Sequence, residues 1–280
     1  MEEETSLNKS TLYYYNKSKV DSLNIKTFDV KKDLKSYPHM NCIITSKTNS
    51  GKSVFLKDMC YELRDHYTQV YVFSLTAHLQ PDLFSFVPEE NIINRWDEPM
   101  LAEIYKQQEN EVLRLLKEGR DKDKMPKVLI IYDDLISEPA VAKSSVLKSL
   151  FVMGRHSCIS QIFLTQSFVA CPPILRKNCA LAIAFYLDSQ VDREAYAKSY
   201  LSTDNVRQGI MILEKITREP YNAICIINAI TSQNPEDTIR QYKARLKIPK
   251  FTMGKRIPTF KPIVERGAVP SLLRLNVSEE

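Results

Sequence analysis

The stretch NCIITSKTNSGKS, Asn41 to Ser53, decides the fold. Its first half, Cys42-Ile43-Ile44-Thr45, is a β-branched run that reads as a buried strand. A turn-forming cluster follows, and Gly51-Lys52-Ser53 opens a helical pattern that runs to about Tyr67. Strand, loop and helix in that order form a phosphate-binding loop. A helix N-terminus presents unpaired N–H groups and partial positive charge, and a loop wrapped over it adds donors. Ser46, Lys47, Thr48, Asn49, Ser50, Gly51, Lys52 and Ser53 are therefore the expected nucleotide-binding set. Lys52 would reach the β- and γ-phosphates of ATP, and the Ser53 hydroxyl would ligate Mg²⁺.

The loop departs from G-x-x-x-x-G-K-[ST] at its first position, where Ser46 stands. Serine fits there only if the backbone avoids positive φ. Asn49 occupies a position where many such loops carry a second glycine, and Asn tolerates the left-handed region better than most residues.

Working outward, the next informative run is Val128-Leu129-Ile130-Ile131-Tyr132-Asp133-Asp134. A continuous apolar run closed by carboxylates reads as a strand buried on both faces that delivers acids at its carboxyl end. This is a Walker B arrangement: Asp133 to hold Mg²⁺, Asp134 to orient and polarise the attacking water.

Between and beyond these runs, strands and helices alternate. Val70 to Phe73 reads as a strand, Met100 to Lys117 as a helix, and Glu138 to Met153 as a second helix. Ile159 to Thr165 is a strand ending at Gln166, and Ala180 to Leu187 is another. Asp192 to Tyr200 and Asp204 to Leu213 read as helices, and Tyr221 to Ile230 as a late, edge-type strand. Thr27 to Val30 reads as a short strand and Lys31 to Tyr37 as a helical turn. The alternation predicts an α/β fold, a mostly parallel sheet with helices on both faces. Ligands in such sheets sit off the carboxyl ends of the strands, where Lys52, Asp133 and Gln166 all fall.

The chain of 280 residues is 44% hydrophobic with net charge +5, too mild an excess to announce nucleic acid by itself. The six cysteines form no C-x-x-C pair and read as reduced, buried thiols of an intracellular protein. The acidic, polar N-terminus does not read as a signal peptide, and no apolar stretch approaches the length expected of a membrane span. We expect a polar arm over 1–26 with a Tyr13-Tyr14-Tyr15 cluster, the nucleotide-binding domain over 27–237, and a tail over 238–280. From Thr238 to Val264 that tail has no acid, while Arg240, Lys243, Arg245, Lys247, Lys250, Lys255, Arg256 and Lys261 are basic. Such a segment suits phosphate backbones or an acidic partner surface.

Four stretches together, SKTNSGKS, VLIIYDD, GRHSCISQIFLTQ and PPILRKNCALAIAF, resemble the FtsK/HerA-type DNA-translocating ATPases, and most of all their viral, poxvirus-type genome-packaging branch. The resemblance covers roughly residues 38–230. It implies a RecA-like, ASCE-type P-loop core, ATP and Mg²⁺, double-stranded DNA, and a homo-oligomeric ring, pentamer or hexamer. It implies capsid or portal partners for the basic tail, and a place in the infected cell, virus factory or nucleus, and in the virion. Gln166 matches the polar sensor on the strand between the two Walker strands. Arg155 matches the arginine given to a neighbouring subunit's nucleotide, although a cation at a helix C-terminus is also favoured by the macrodipole. Arg176 and Asn178 match the family run without a clear role. Ser46 and Asn49 replace family glycines, and Asp134 stands where many relatives have Glu, which bears on turnover more than on binding. The competing readings are a small-molecule or nucleotide kinase on the same scaffold, and a nucleotide-gated scaffold without catalysis.

Overall fold

The computed structural model describes residues 18, 20–35, 37, 39–201, 205–232 and 234–254. The strands are β1 (Lys26–Thr27), β2 (Asn41–Thr45), β3 (Gln69–Ser74), β4 (Ile92–Ile93), β5 (Val128–Asp133), β6 (Ile159–Thr165), β7 (Leu181–Ala184), β8 (Asn222–Ile227) and β9 (Ile239–Lys243). The helices are α1 (Val30–Asp33), α2 (Lys52–Glu62), α3 (Glu98–Lys117), α4 (Pro139–Lys143), α5 (Ser145–Met153), α6 (Pro173–Lys177), α7 (Gln190–Tyr200), α8 (Val206–Thr217) and α9 (Pro235–Thr238).

The nine strands form one sheet in the order β1-β9-β8-β7-β2-β6-β5-β3-β4. From β7 to β4 every pairing is parallel, while β8 runs antiparallel to both β7 and β9. Every residue of β5 and β6 is buried, as two helix-covered faces require. Alternate side chains serve opposite cores. Ile130, Tyr132 and Phe163 pack with Leu101, Leu147, Tyr196 and Ile212 of α3, α5, α7 and α8. Leu129, Ile131 and Ile162 pack with Phe55, Leu56 and Met59 of α2. The mostly parallel α/β architecture is the one expected.

Several boundaries differ from expectation for local reasons. The single helix over 138–153 is two helices, because Ser144 stops one and caps the next: its Oγ accepts from Leu147 N at 3.0 Å and donates to Glu98 Oε1 at 2.6 Å. At the start of the domain, Asp29 caps α1 through Lys32 N at 3.0 Å, so Val30 is helical and the strand ends at Thr27. The helix expected from Asp204, which lies outside the described residues, is capped by Asn205 and continues to Thr217.

Residues on both sides of the 27–237 span join the sheet and core. Val20, placed in the arm by its sequence, is buried in the same core as Ile216, and Lys215 Nζ donates to its carbonyl at 3.0 Å. The strand over 221–230 is internal rather than an edge, because β9 pairs with it. β9 alternates one buried isoleucine with polar residues, Ile239-Arg240-Gln241-Tyr242-Lys243, which is why it reads as basic tail. The Tyr13-Tyr14-Tyr15 cluster and the tail from Lys255 lie outside the described residues.

All six cysteines are buried and unpaired. Among the described residues no helix is long and apolar enough to cross a membrane. His39, just before β2, has a buried Nδ1 without a hydrogen-bond partner. Burial first, then the charges of Lys127, His66 and Lys122, lowers its pKa from 6.5 to about 4. The unfolded chain therefore takes up a proton here that the folded chain refuses. The stability involved is complete above pH 6.5 and is lost as pH falls toward about 4. His39→Gln should flatten the fall of Tm over that window; an unchanged slope would place the sensitivity elsewhere.

Candidate nucleotide site

The P-loop leaves β2 at the carboxyl edge of the sheet. Ser46 lies beneath it, fully buried, with its N–H donating to Thr165 O at 3.1 Å; its φ is not positive, and it does not line the cleft above. Asn49 takes the left-handed conformation its type tolerates, φ 63°, and Gly51 sits at φ 101°. Ser50 Oγ donates to Lys47 O within the loop. A Cβ on Gly51 would lie 2.9 Å from Tyr221 Cδ1, so a larger residue would have to displace that ring as well as adopt a positive φ.

Above the loop is an open cleft of about 570 Å³. Lys47, Thr48, Asn49, Gly51, Lys52 and Ser53 line one side of it. Asp133, Asp134 and Gln166 line the other. These residues, far apart in sequence, meet because β6 lies between β2 and β5, with Thr45 level with Thr165 and Asp133 level with Leu164.

Their side chains are linked. Thr48 Oγ1 donates to Gln166 Oε1 at 3.1 Å, and Gln166 Nε2 donates to Asp134 Oδ1 at 3.1 Å. Gln166 thus bridges the P-loop and the carboxylate expected to act as base. Asp134 is held at φ 53°, a left-handed conformation for a residue with a side chain. Asp133 is buried, and burial raises its pKa; the charge of Lys52 and a hydrogen bond from Ser74 Oγ at 3.3 Å act the other way. Lys47 pairs with Asp188 at 3.1 Å across the rim.

Sequence reasoning missed Ser74, Thr76 and Tyr221. Ser74 ends β3 directly beside Asp133 in register, a position that a polar residue closing an apolar strand announces. Thr76 follows in the next turn. Tyr221, at φ 67°, is half exposed against the loop, and nothing in its local sequence marks it. Three of the four non-glycine residues with positive φ among the described residues, Asn49, Asp134 and Tyr221, line this one cleft. Strain of that kind concentrates at functional sites.

Arg155 and Arg176 lie elsewhere. Arg155 is exposed in the 3₁₀ turn Gly154–Ser157, before β6 and therefore at the opposite edge of the sheet. It lines a second cleft of about 560 Å³ with Lys122, His156, Lys177 and Asn178, and no lining residue there is acidic. Arg176 stacks over Phe168 at 5.1 Å, and its carbonyl accepts from Tyr200 Oη at 2.8 Å. Asn178 donates from Nδ2 to Ile174 O at 2.9 Å, closing α6.

The sheet order, the loop and the two strand-end carboxylates define a P-loop NTPase. The chain belongs to the Poxvirus A32 protein family, whose model matches residues 25–243. It is similar to the uncharacterized protein 088R of Invertebrate iridescent virus 3, 24% identical over 215 residues, which are 75% of this chain and 79% of that one. Among solved structures it is similar to the genome packaging NTPase B204 from Sulfolobus turreted icosahedral virus 2 in complex with sulfate. That match has 16% identity and a TM-score of 0.52, and covers 75% of this chain and 98% of that one. EssC (ATPases 2 and 3) from Geobacillus thermodenitrificans is also similar, at 15% identity and a TM-score of 0.52, covering 69% and 38% of the two chains. At these identities the structural likeness speaks for the fold.

Gly51→Ala should weaken binding of a non-hydrolysable ATP analogue about ten-fold, from roughly 1–2 kcal/mol of backbone and steric penalty. Titration calorimetry checks this, and unchanged affinity would show that the loop does not hold its conformation around the nucleotide.

Proposed function

We propose that this protein is a viral DNA-packaging ATPase, an enzyme that hydrolyses ATP and, assembled as a ring, moves double-stranded DNA into a capsid. The convergence of Lys52, Asp133, Asp134 and Gln166 on one cleft carries this reading. Membership of the Poxvirus A32 protein family and the likeness to a genome packaging NTPase support it.

The P-loop amides and the Lys52 ammonium would neutralise the triphosphate. Ser53 and Asp133 fit a Mg²⁺ ion: both are oxygen donors on the cleft wall, and Asp133 is a buried carboxylate that a cation would compensate. Bound there, the ion would screen charge building on the phosphate oxygens. Asp134 would take the proton of the attacking water, and Gln166, already tied to Asp134, would orient that water.

Arg155 stands too far from its own chain's cleft to serve it, at the opposite sheet edge, which favours the trans role. Its surroundings of Lys122, His156 and Lys177 without a carboxylate suit the triphosphate held by a neighbouring copy. We propose a pentameric or hexameric ring on this basis, working inside the infected cell. The exposed Lys243, Lys247 and Lys250, with the basic residues after Gly254, form a cationic run suited to DNA backbone or to capsid or portal proteins.

ATP turnover measured with and without duplex DNA, across protein concentration, tests the whole reading. Stimulation by DNA that rises with concentration is expected; turnover indifferent to both would overturn it. Asp134→Asn should keep nucleotide affinity and slow hydrolysis by about 10²–10⁴, the usual contribution of a general base. Arg155→Ala should leave nucleotide affinity unchanged and slow hydrolysis about 10³-fold or more only where the wild type assembles. A turnover equal to wild type in the assembled variant would exclude the trans role.

A further inference from the structure

The helix that carries Lys52 and Ser53 also carries Asp58, and Asp58 is fully buried. Its sequence neighbourhood, with Lys57, Glu62 and Arg64, reads as a solvent face, so a carboxylate without water contact is unexpected there. The hydrogen-bond partners of its carboxylate among the described residues come from β9 and the residues just after it. Tyr242 Oη donates to Oδ2 at 2.6 Å, Arg245 N donates to Oδ2 at 3.0 Å, and Arg245 Nε donates to Oδ1 at 2.7 Å. Arg245 Nη2 also pairs with Asp58 and with Glu62 one turn later, and Lys31 Nζ closes on Glu62 at 3.3 Å.

A second path joins the same two segments through aromatic rings. Tyr242 meets Phe55 edge to face at 4.9 Å, and Phe55 meets Phe185 edge to face at 5.6 Å. Phe185 Cε1 lies 3.6 Å from where a Cβ of Gly51 would be. The contact chain therefore runs from β9 to the glycine of the P-loop.

Removing one partner of a buried charge leaves that charge unpaired in a medium that cannot solvate it. Here the charge lies on the helix whose first turn must hold Lys52 and Ser53 opposite Asp133. A helix that shifts to let water reach Asp58 moves its own N-terminus, and small misplacements of such groups weaken both binding and chemistry. We propose that Tyr242 and Arg245 are positioning residues for ATP hydrolysis, setting the seat of α2 through the buried carboxylate of Asp58. Neither side chain lines the nucleotide cleft, and Arg245 lies beyond the span matched by the family model.

The test uses the full chain and four variants, with kcat and KM for ATP, affinity for a non-hydrolysable analogue, Tm, and hydrogen exchange over 52–58. Arg245→Ala should weaken analogue affinity and kcat/KM about ten-fold, the size set by losing charge-assisted hydrogen bonds to a buried carboxylate. Its exchange over 52–58 should quicken. Arg245→Lys should recover part of the loss by restoring charge without the bidentate geometry. Tyr242→Phe keeps the ring on Phe55 and loses one donor, so it should show a smaller defect of the same kind. It serves as the readout if Arg245→Ala fails to fold.

Arg240→Ala is the structural control. Arg240, on β9 beside them, pairs with Asp33 of α1 at 3.6 Å and donates to Glu236 O at 3.0 Å, partners that lie outside α2. It should lower Tm while leaving affinity and exchange over 52–58 as in the wild type. Wild-type kinetics and affinity in both Arg245→Ala and Tyr242→Phe, or an equal kinetic loss in Arg240→Ala, would overturn the proposal. A wild-type chain without ATP turnover would count against the ATPase reading alone, since analogue affinity and exchange still read the seat of α2.

Discussion

The parallel hydrogen bonds that join β2, β6 and β5 leave no freedom in where these strands end. Their registers bring Thr45, Thr165 and Asp133 to one edge, and the segment after each tip must turn over that edge. The P-loop, Gln166 and Asp134 occupy those three turns. A one-residue slip of β6 would send Phe163 and Gln161 to the other face and move Gln166 off the edge, which the two apolar cores forbid. The site is thus a consequence of sheet register more than of local loop design.

What the loops add is strain held in place by that sheet. Asn49, Asp134 and Tyr221 each adopt a left-handed backbone with a side chain attached, around the cleft where Gly51 also has positive φ. The fully buried strands beneath supply the packing that offsets it. Asp133 is a second local expense, since its ionised form is disfavoured by burial and favoured by Lys52 and Ser74. A cation beside Asp133 would offset the burial of its charge, and the loop's amides and Lys52 suit the polyanion that such a cation accompanies.

Much of this was legible beforehand where local chemistry and periodicity agreed. The strand-loop-helix order at Asn41 to Ser53, the carboxylates closing Val128 to Asp134, and the polar Gln166 closing Ile159 to Thr165 each announce themselves within a few residues. The unread part depends on partners distant in sequence. β9 looks like a charged tail because only Ile239 on it is fully buried. Asp58 looks solvated because its partners, Tyr242 and Arg245, are contributed by that same segment. The side chains of Ser46, buried under the loop, and Ser50, bonded to Lys47 O, also have surroundings that their place in the motif does not announce. Tyr221 reaches the loop only because β8 runs antiparallel and begins at the carboxyl edge of its neighbours.

The segment after β9 has a consequence for how the molecule divides. Met253 N donates to Phe86 O at 2.8 Å, Phe251 stacks on Phe86 at 4.9 Å, and Gly254 crosses close over Val70. A fragment ending at Lys243, where the family span stops, keeps every cleft residue and discards the guanidinium that satisfies Asp58, together with the belt that fastens this end across the strand bearing Ser74. The residues that line the cleft and the contacts that hold them in place therefore end at different points along this chain.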